Sequence, residues 1–421
     1  MKKKQYRILL LGTILAGSLQ AMDNAHWFRA PLFFGEPRLA EPRLASFDIS
    51  IAGGSTDKGR NAGGYTVPLL NIYGAQNMHL LGSNIPGKDL STIEDVTLVM
   101  LERIASRDGF GYLNYFGRFH IVEAMIAWTQ NFDLGAFMQV FLPVRGVELS
   151  NIRWCDCSPT DCICPNATDP NWQRFLTLYE QILKRYEISA GNYKKHGFGD
   201  LSILFGWSCN YEDIRTIDYI DFGIRFGLIL PTGKKNYLNQ AFDMPLGYNG
   251  HVGIPVVVDA SFGAYDWFTL GLHAGVLPFI NKKYCVRVKT DPRQCGFIKL
   301  AMTNAKVQLG TIWDVGAFIK ADHVGKGLSF LFGYSHQRQQ RTILNPCDPG
   351  MFNIDTVNND PMLLGWSMHT LHFMADYDFS KEEHRIGGRV GVFYNRQITG
   401  KNVFQTHTGG GSFGIDFAFI Y

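Results

Sequence analysis

Twelve stretches of this chain alternate large apolar side chains with small or polar ones, and the connections between them alternate in turn between short and long. The final stretch, SFGIDFAFIY, places Phe413, Ile415, Phe417, Phe419 and Tyr421 on one face and Ser412, Gly414, Asp416 and Ala418 on the other, because residues two apart along a strand share a side. YIDFGIRFGLIL from Tyr219 repeats the pattern, with Arg225 among glycines opposite Phe222, Ile224, Phe226 and Leu228. KVQLGTIWDVGAFIK from Lys306 sets Lys306, Gln308, Asp314 and Lys320 against Val307, Leu309, Trp313, Val315 and Ile319, and HRIGGRVGVFYN sets Arg385, Arg389 and Asn395 against Ile386, Val390, Val392 and Tyr394. The other candidates start at Ser46, Asn114, Leu134, Asp200, Ile254, Trp267, Leu328 and His369. The stretch at Asn114 is the least regular, since Glu123 shares a parity with Phe119 and Ile121, which a bulge or a shorter spanning segment would explain.

The connections discriminate between solvents. TQNFD, GAYD and FSKEE are tight, whereas residues 54–113, 143–199, 231–250, 279–303, 339–364 and 397–410 form long links. A soluble sandwich has no reason to segregate loop length in this way. An up-and-down transmembrane barrel does, with short turns on the periplasmic side and long loops outside. The expected fold is therefore all-β: an antiparallel barrel of about 12 strands (10–14), whose even number returns both termini to one side. Hydrocarbon offers backbone groups no partner, so closure of the last strand onto the first is required. YTVPLLNIYGAQ from Tyr65 is the place where a further hairpin would hide.

The ends agree. Lys2, Lys3, Lys4 and Arg7 precede an apolar run from Ile8 to Leu15 and a small-residue region ending at Ala21, the layout of a secretory signal over residues 1–21. Residues 22–421 then form one barrel domain with an irregular amino-terminal segment. Removing the signal leaves 36 basic against 37 acidic residues, a net charge of about −1, which gives a nucleic-acid partner no support.

In signal, loop alternation and an aromatic-ended last strand, the chain resembles the outer-membrane β-barrel proteins of Gram-negative-type bacteria. That resemblance implies a bacterial outer-membrane location, outer-membrane lipid as the surrounding partner, and Phe417, Phe419 and Tyr421 as the pattern read by the barrel-insertion machinery. Tyr stands last where Phe is commoner. Length and the extended amino-terminal segment also resemble the long-chain fatty-acid transporter family.

Several groups are candidates for function. Arg225, Lys306, Asp314, Arg389 and Asp416 lie on small-residue faces and would line a charged lumen that sets solute preference; the rival reading is a salt-bridged filling with no passage. Cys155, Cys157, Cys162 and Cys164 in WCDCSPTDCICP lack the C-x2-C spacing of a zinc knuckle, so outside the cytoplasm disulfides are the simpler reading, and Cys285 with Cys295 would clip another loop. Two segments carry helical periodicity: 89–106, with Ser91 and Glu94 as a capping box, and NWQRFLTLYEQILKRYEIS, with Phe175, Leu178, Tyr179, Ile182 and Tyr186 on one side. Ser335 and His336 are adjacent and point to opposite faces, and no metal, cofactor or catalytic constellation is expected. The expected function is an outer-membrane channel or transporter for a small solute, with disulfide-stapled outer loops; the alternative is a closed barrel whose loops bind a surface or host ligand.

Overall fold

The computed structural model describes residues 44–104, 111–157, 169–214, 217–265, 267–325, 327–379 and 386–418. Twelve strands form the wall: β1 Leu44–Thr56, β2 Tyr112–Asn131, β3 Ala136–Asp156, β4 Leu201–Ile214, β5 Ile217–Leu230, β6 Val256–Ala264, β7 Phe268–Leu277, β8 Ile312–Gly325, β9 Leu328–Gln339, β10 Ser367–Asp378, β11 Ile386–Lys401 and β12 His407–Ala418. Each pairs antiparallel with its neighbours in sequence, and β1 also pairs with β12, from Leu44↔Ala418 to Gly54↔Thr408. The sheet therefore closes without an edge. Each of the twelve sequence candidates overlaps one of these strands, the one from Lys306 only from Ile312 onward.

The two faces separate as the alternation requires. Phe222, Ile224, Phe226 and Leu228 are 38–58% exposed, while Asp221 and Arg225 between them are 1% and 3% exposed. Trp313, Val315, Ile319, Phe330, Phe332, Phe373, Val390, Val392 and Phe413 continue the exposed belt around the wall. An apolar belt on the outside of a closed wall requires hydrocarbon around it. Trp267 and Tyr377 stand exposed at the inner end of that belt.

Glycine on the lumen face answers to close approach. A Cβ at Gly271 would collide with the Phe318 ring, and one at Gly410 with the Phe393 ring. Each ring thus approaches the bare backbone of the adjacent strand, a space that a side chain there would occupy.

The strands run on past the membrane, which shortens several expected loops. β3 continues to Asp156, and the last outer link is only the segment 402–406. Val403 and Phe404 there pair with Arg60 and Gly59. A second sheet, of Lys282–Arg287, Met302–Gln308 and Ile343–Pro346, stands beyond the wall.

The largest apolar core also lies outside the membrane. Helix α1, Ile93–Ile104, and helix α2, Pro170–Arg185, pack with the outer ends of β2 and β3 around Leu98, Leu101, Phe119, Leu149, Trp172, Phe175, Tyr179 and Ile182. Each of these large side chains contributes about 1.5–3 kcal/mol by burial. Asp169 caps α2 by accepting from the Asn171 and Trp172 amides, with Pro170 in the first turn. The cap of α1 departs from expectation by one residue: the Thr92 hydroxyl, not that of Ser91, accepts from the Asp95 amide, and Asp95 reaches back to the Asp89 amide. A one-turn helix, α3 Ile354–Asn358, had no periodicity long enough to read.

Candidate functional site

The lumen is built from the inward residue of every second position on twelve strands. At its inner end Arg389 of β11 bonds to Asp48 of β1 and lies 3.2 Å from Asp416 of β12, and Lys320 of β8 lies 2.5 Å from Asp322. Two to four residues further along, Phe318, Leu331, Met374 and Phe393 of β8–β11 join Ala52 in an apolar layer.

A hydrogen-bonded chain runs around the wall beyond that layer. His273 of β7 meets Asp314 of β8 at 2.7 Å, and Asp314 also accepts from Gln337 of β9. On β9 Ser335 meets His372 of β10 at 2.9 Å, His372 meets Asn395 of β11 at 2.8 Å, and Asn395 donates to Thr408 of β12 at 3.3 Å. Six consecutive strands thus carry polar side chains that bond to a neighbouring strand. Ser335 is buried on this face and His336 points out, so adjacency in sequence separates them as expected.

The opposite half of the wall is more ionic. Arg145 of β3 bonds to Glu123 of β2, and Arg225 of β5 to Asp259 of β6. Besides His273 and His372, eleven ionisable side chains on lumen faces are buried: Asp48, Glu123, Asp221, Asp259, Asp314, Asp376 and Asp416 against Arg145, Arg225, Lys320 and Arg389. Seven of these are carboxylates and four are cations.

The outer mouth is covered by residues 231–255. Asp200, just outside β4, accepts from the amides of Gly233 at 2.8 Å and Tyr248 at 2.5 Å. Burial pushes its carboxyl above the ordinary aspartate value, against the pull of these two amides and of Arg145. Arg145 donates from inside the barrel to the Leu246 carbonyl at 2.8 Å. Lys195 holds Asp243 at 2.5 Å and the Met244 carbonyl at 2.9 Å. Tyr248 then packs with Ile229, Leu277, Ile312, Trp366, Met368 and Val403 across the mouth. Between this loop and the second sheet lies a cavity of about 420 Å³, lined in part by Tyr237, Leu238, Tyr284, Val286, Phe297 and Met362.

Four of the five expected lumen residues, Arg225, Asp314, Arg389 and Asp416, are buried on the inward face. Lys306 is not on the wall. It stands exposed on the middle strand of the second sheet, opposite Lys283 and Asn345, because the chain leaves the sheet pattern at Gly310 and the wall strand starts only at Ile312. Val307 accordingly packs in a loop core with Val288 and Leu344, and does not face lipid. Phe417 pairs with Ala45 and Ile386; Phe419 and Tyr421 lie outside the described residues, as do residues 1–21, Cys162 and Cys164.

Among the described residues the cysteines carry no disulfide. Cys155 and Cys157 have their sulfurs 3.8 Å apart. Cys285 sits in the second sheet and Cys295 lies against the Ala75 carbonyl at 2.9 Å, so the expected clip between these two is not made. The residues that sequence reasoning passed over are Asp48, Glu123, Arg145, Asp259, His273, His372 and Asn395. Two of them left a signal: Asn395 shares the polar parity of Arg389, and Glu123 clashes in parity with Phe119 and Ile121. The last three all face inward, and the apolar pair belongs to the outer core, not to the lipid face.

No protein-family model matches the chain, and no curated protein matches it in sequence. Among solved structures it is similar to the COG4313 outer membrane channel from Pseudomonas putida F1, at 9% identity and a TM-score of 0.53, over 92% of this chain and 100% of that one. A Pseudomonas aeruginosa FadL homologue (9% identity, TM-score 0.30, 94% and 98% covered) and the Ralstonia pickettii toluene transporter TbuX (9%, 0.36, 91% and 91%) align over similar spans with weaker superposition. Wall, belt and polar lumen define the class: a bacterial outer-membrane β-barrel. Within that class this chain is a closed barrel of twelve strands, similar in fold to the Pseudomonas putida channel.

Proposed function

We propose that this chain is an outer-membrane channel for small solutes whose entry is controlled by the outer loops. The observation that carries the reading is the separation of an apolar outer belt from a lumen holding seven buried carboxylates and four buried cations inside one closed wall. A wall of twelve strands surrounds more space than a packed eight-stranded one, and its lumen bonds run mostly between neighbouring strands, along the wall. The cavity above residues 231–255 is of a size for a small, mainly apolar molecule, so solute would pause there before passing the mouth. Its outer loops would be held by disulfides drawn from Cys155, Cys157, Cys162 and Cys164, which alkylation before and after reduction would count by mass.

Refolded chain in a planar bilayer tests the reading. Stable conductance steps are expected, with larger steps in Asp200→Asn, which weakens the carboxylate that holds the Gly233 and Tyr248 amides. A heat-modifiable, fully folded barrel without conductance in either form overturns it. That result would favour a second reading, a closed barrel whose outer loops bind a ligand, which the size of the core outside the membrane supports.

A further inference from the structure

The outward face of the barrel is not uniform at its outer end. On β9, β10 and β11 the register sets Arg338 opposite Ser367 and Ser367 opposite Lys401. Next toward the membrane, His336 faces His369, and then Leu371 faces Arg396, which in turn faces His407 of β12. Arg118 and His120 of β2 extend the arc, with Arg118 reaching Ser55 of β1 at 3.4 Å. Arg118, Arg338, Arg396, Lys401 and His407 are exposed.

Two contrasts single this arc out. Among the described residues its outward positions carry no carboxylate and its arginines and lysine make no ion pair; Asp57 lies just beyond β1. On β5, β6 and β8 the corresponding strand ends present Leu228, Val256 and Trp313, and on β3 Glu148 is paired with Lys194. Directly inward of the basic residues lies an exposed aromatic row of Phe332, Phe373, Tyr394 and Phe413. Cations at the level of the headgroups above an apolar surface at the level of the chains match one ligand chemistry, an acylated molecule bearing phosphate. With strands about 4.8 Å apart, Arg338 and Lys401 stand about 10 Å from one another at the backbone, so a single headgroup with two phosphates reaches both.

We infer that the outer end of the β9–β12, β1 and β2 arc is a binding surface for the phosphate-bearing glycolipid of the outer leaflet, of the lipopolysaccharide kind. Arg338, Arg396 and Lys401 hold the phosphates, guanidinium groups doing so through paired hydrogen bonds; His336, His369 and Tyr334, whose hydroxyl lies 2.6 Å from the His369 Nδ1, form the polar floor between them. The surface is independent of the lumen and of transport.

The full refolded chain in neutral detergent, mixed with diphosphoryl lipid A and analysed by native mass spectrometry, tests this. One or more retained lipid A molecules are expected, with monophosphoryl lipid A retained less. R338A/R396A/K401A should lose retention at least tenfold while keeping the heat-modifiable barrel form, and R338K/R396K should keep most of it, which separates lost charge from lost fold. Lys283→Ala, beyond the other half of the wall, should change nothing. Wild-type retention by the triple alanine variant, or equal retention of a neutral lipid, overturns the inference. Displacement of lipid A by inorganic phosphate at matching concentration overturns its assignment to a lipid.

Discussion

At the residue scale, His251 is the group through which the mouth should respond to pH. The Ile280 carbonyl can only accept, so His251 Nδ1 donates to it at 2.9 Å; Nε2 of the neutral ring then accepts from the Tyr284 hydroxyl at 3.3 Å. Burial lowers the ring's pKa from the ordinary 6.5, and Lys282, which donates to the Gly250 carbonyl beside it, lowers it further against the pull of Ile280. The folded loop therefore binds fewer protons than the released loop in the window between the lowered value and 6.5. Stability is complete above that window, falls as pH drops through it, and stops falling once the folded ring is also protonated. Amide exchange over residues 233–250, corrected for intrinsic rate, should accelerate on acidification across this window. His251→Phe keeps an aromatic ring against Phe279 and Tyr284 and should flatten the dependence; an unchanged pH profile in that variant sinks the assignment. His251 was not legible beforehand, because its partners Ile280 and Tyr284 come from a different loop. Arg389 was readable, since a charge between Gly388 and Val390 on an alternating strand declares its face, but its two carboxylate partners on β12 and β1 become visible only when the sheet closes.

Elements carry the alternation, and there the sequence was most informative. Every wall strand could be read from period two alone, because lipid outside and polar groups inside impose opposite demands on neighbouring positions. Failures fell where strands leave the membrane. Phe119 and Ile121 on β2, and Val307 before β8, are apolar for a core of loops, and alternation does not say which apolar phase a strand buries. The glycine-to-ring contacts between neighbouring strands were equally hidden, since only register aligns Gly271 with Phe318. Gly271→Ala should cost about 1–3 kcal/mol by forcing the Phe318 ring off its seat, read as a lower urea midpoint of the heat-modifiable form. Gly271→Ala combined with Phe318→Ala should cost less than the two separate losses together, because the collision is gone. Additive losses would mean that the ring moves aside freely.

For the whole molecule, the sign of the lumen is the property that follows from all strands together. No strand taken alone predicts it: β5 and β6 contribute Arg225 with Asp221 and Asp259, while β11 and β12 contribute Arg389 with Asp416. The buried carboxylates summed around the wall outnumber the buried cations, and in the proposed channel a passage with protein walls would focus that field. Small cations should therefore pass more readily than anions of equal size, and a salt gradient across a bilayer holding the refolded chain should give a reversal potential of cation-selective sign. Asp221→Asn is the informative variant. Asp221 accepts from Ser261 at 3.4 Å, and its replacement leaves the Arg225–Asp259 pair in place while one buried carboxylate is removed. Selectivity should decline in Asp221→Asn and recover in Asp221→Glu. A reversal potential that ignores both changes would place the conducting path away from β5 and β6, against the half of the wall where Ser335, His372 and Asn395 form the lining.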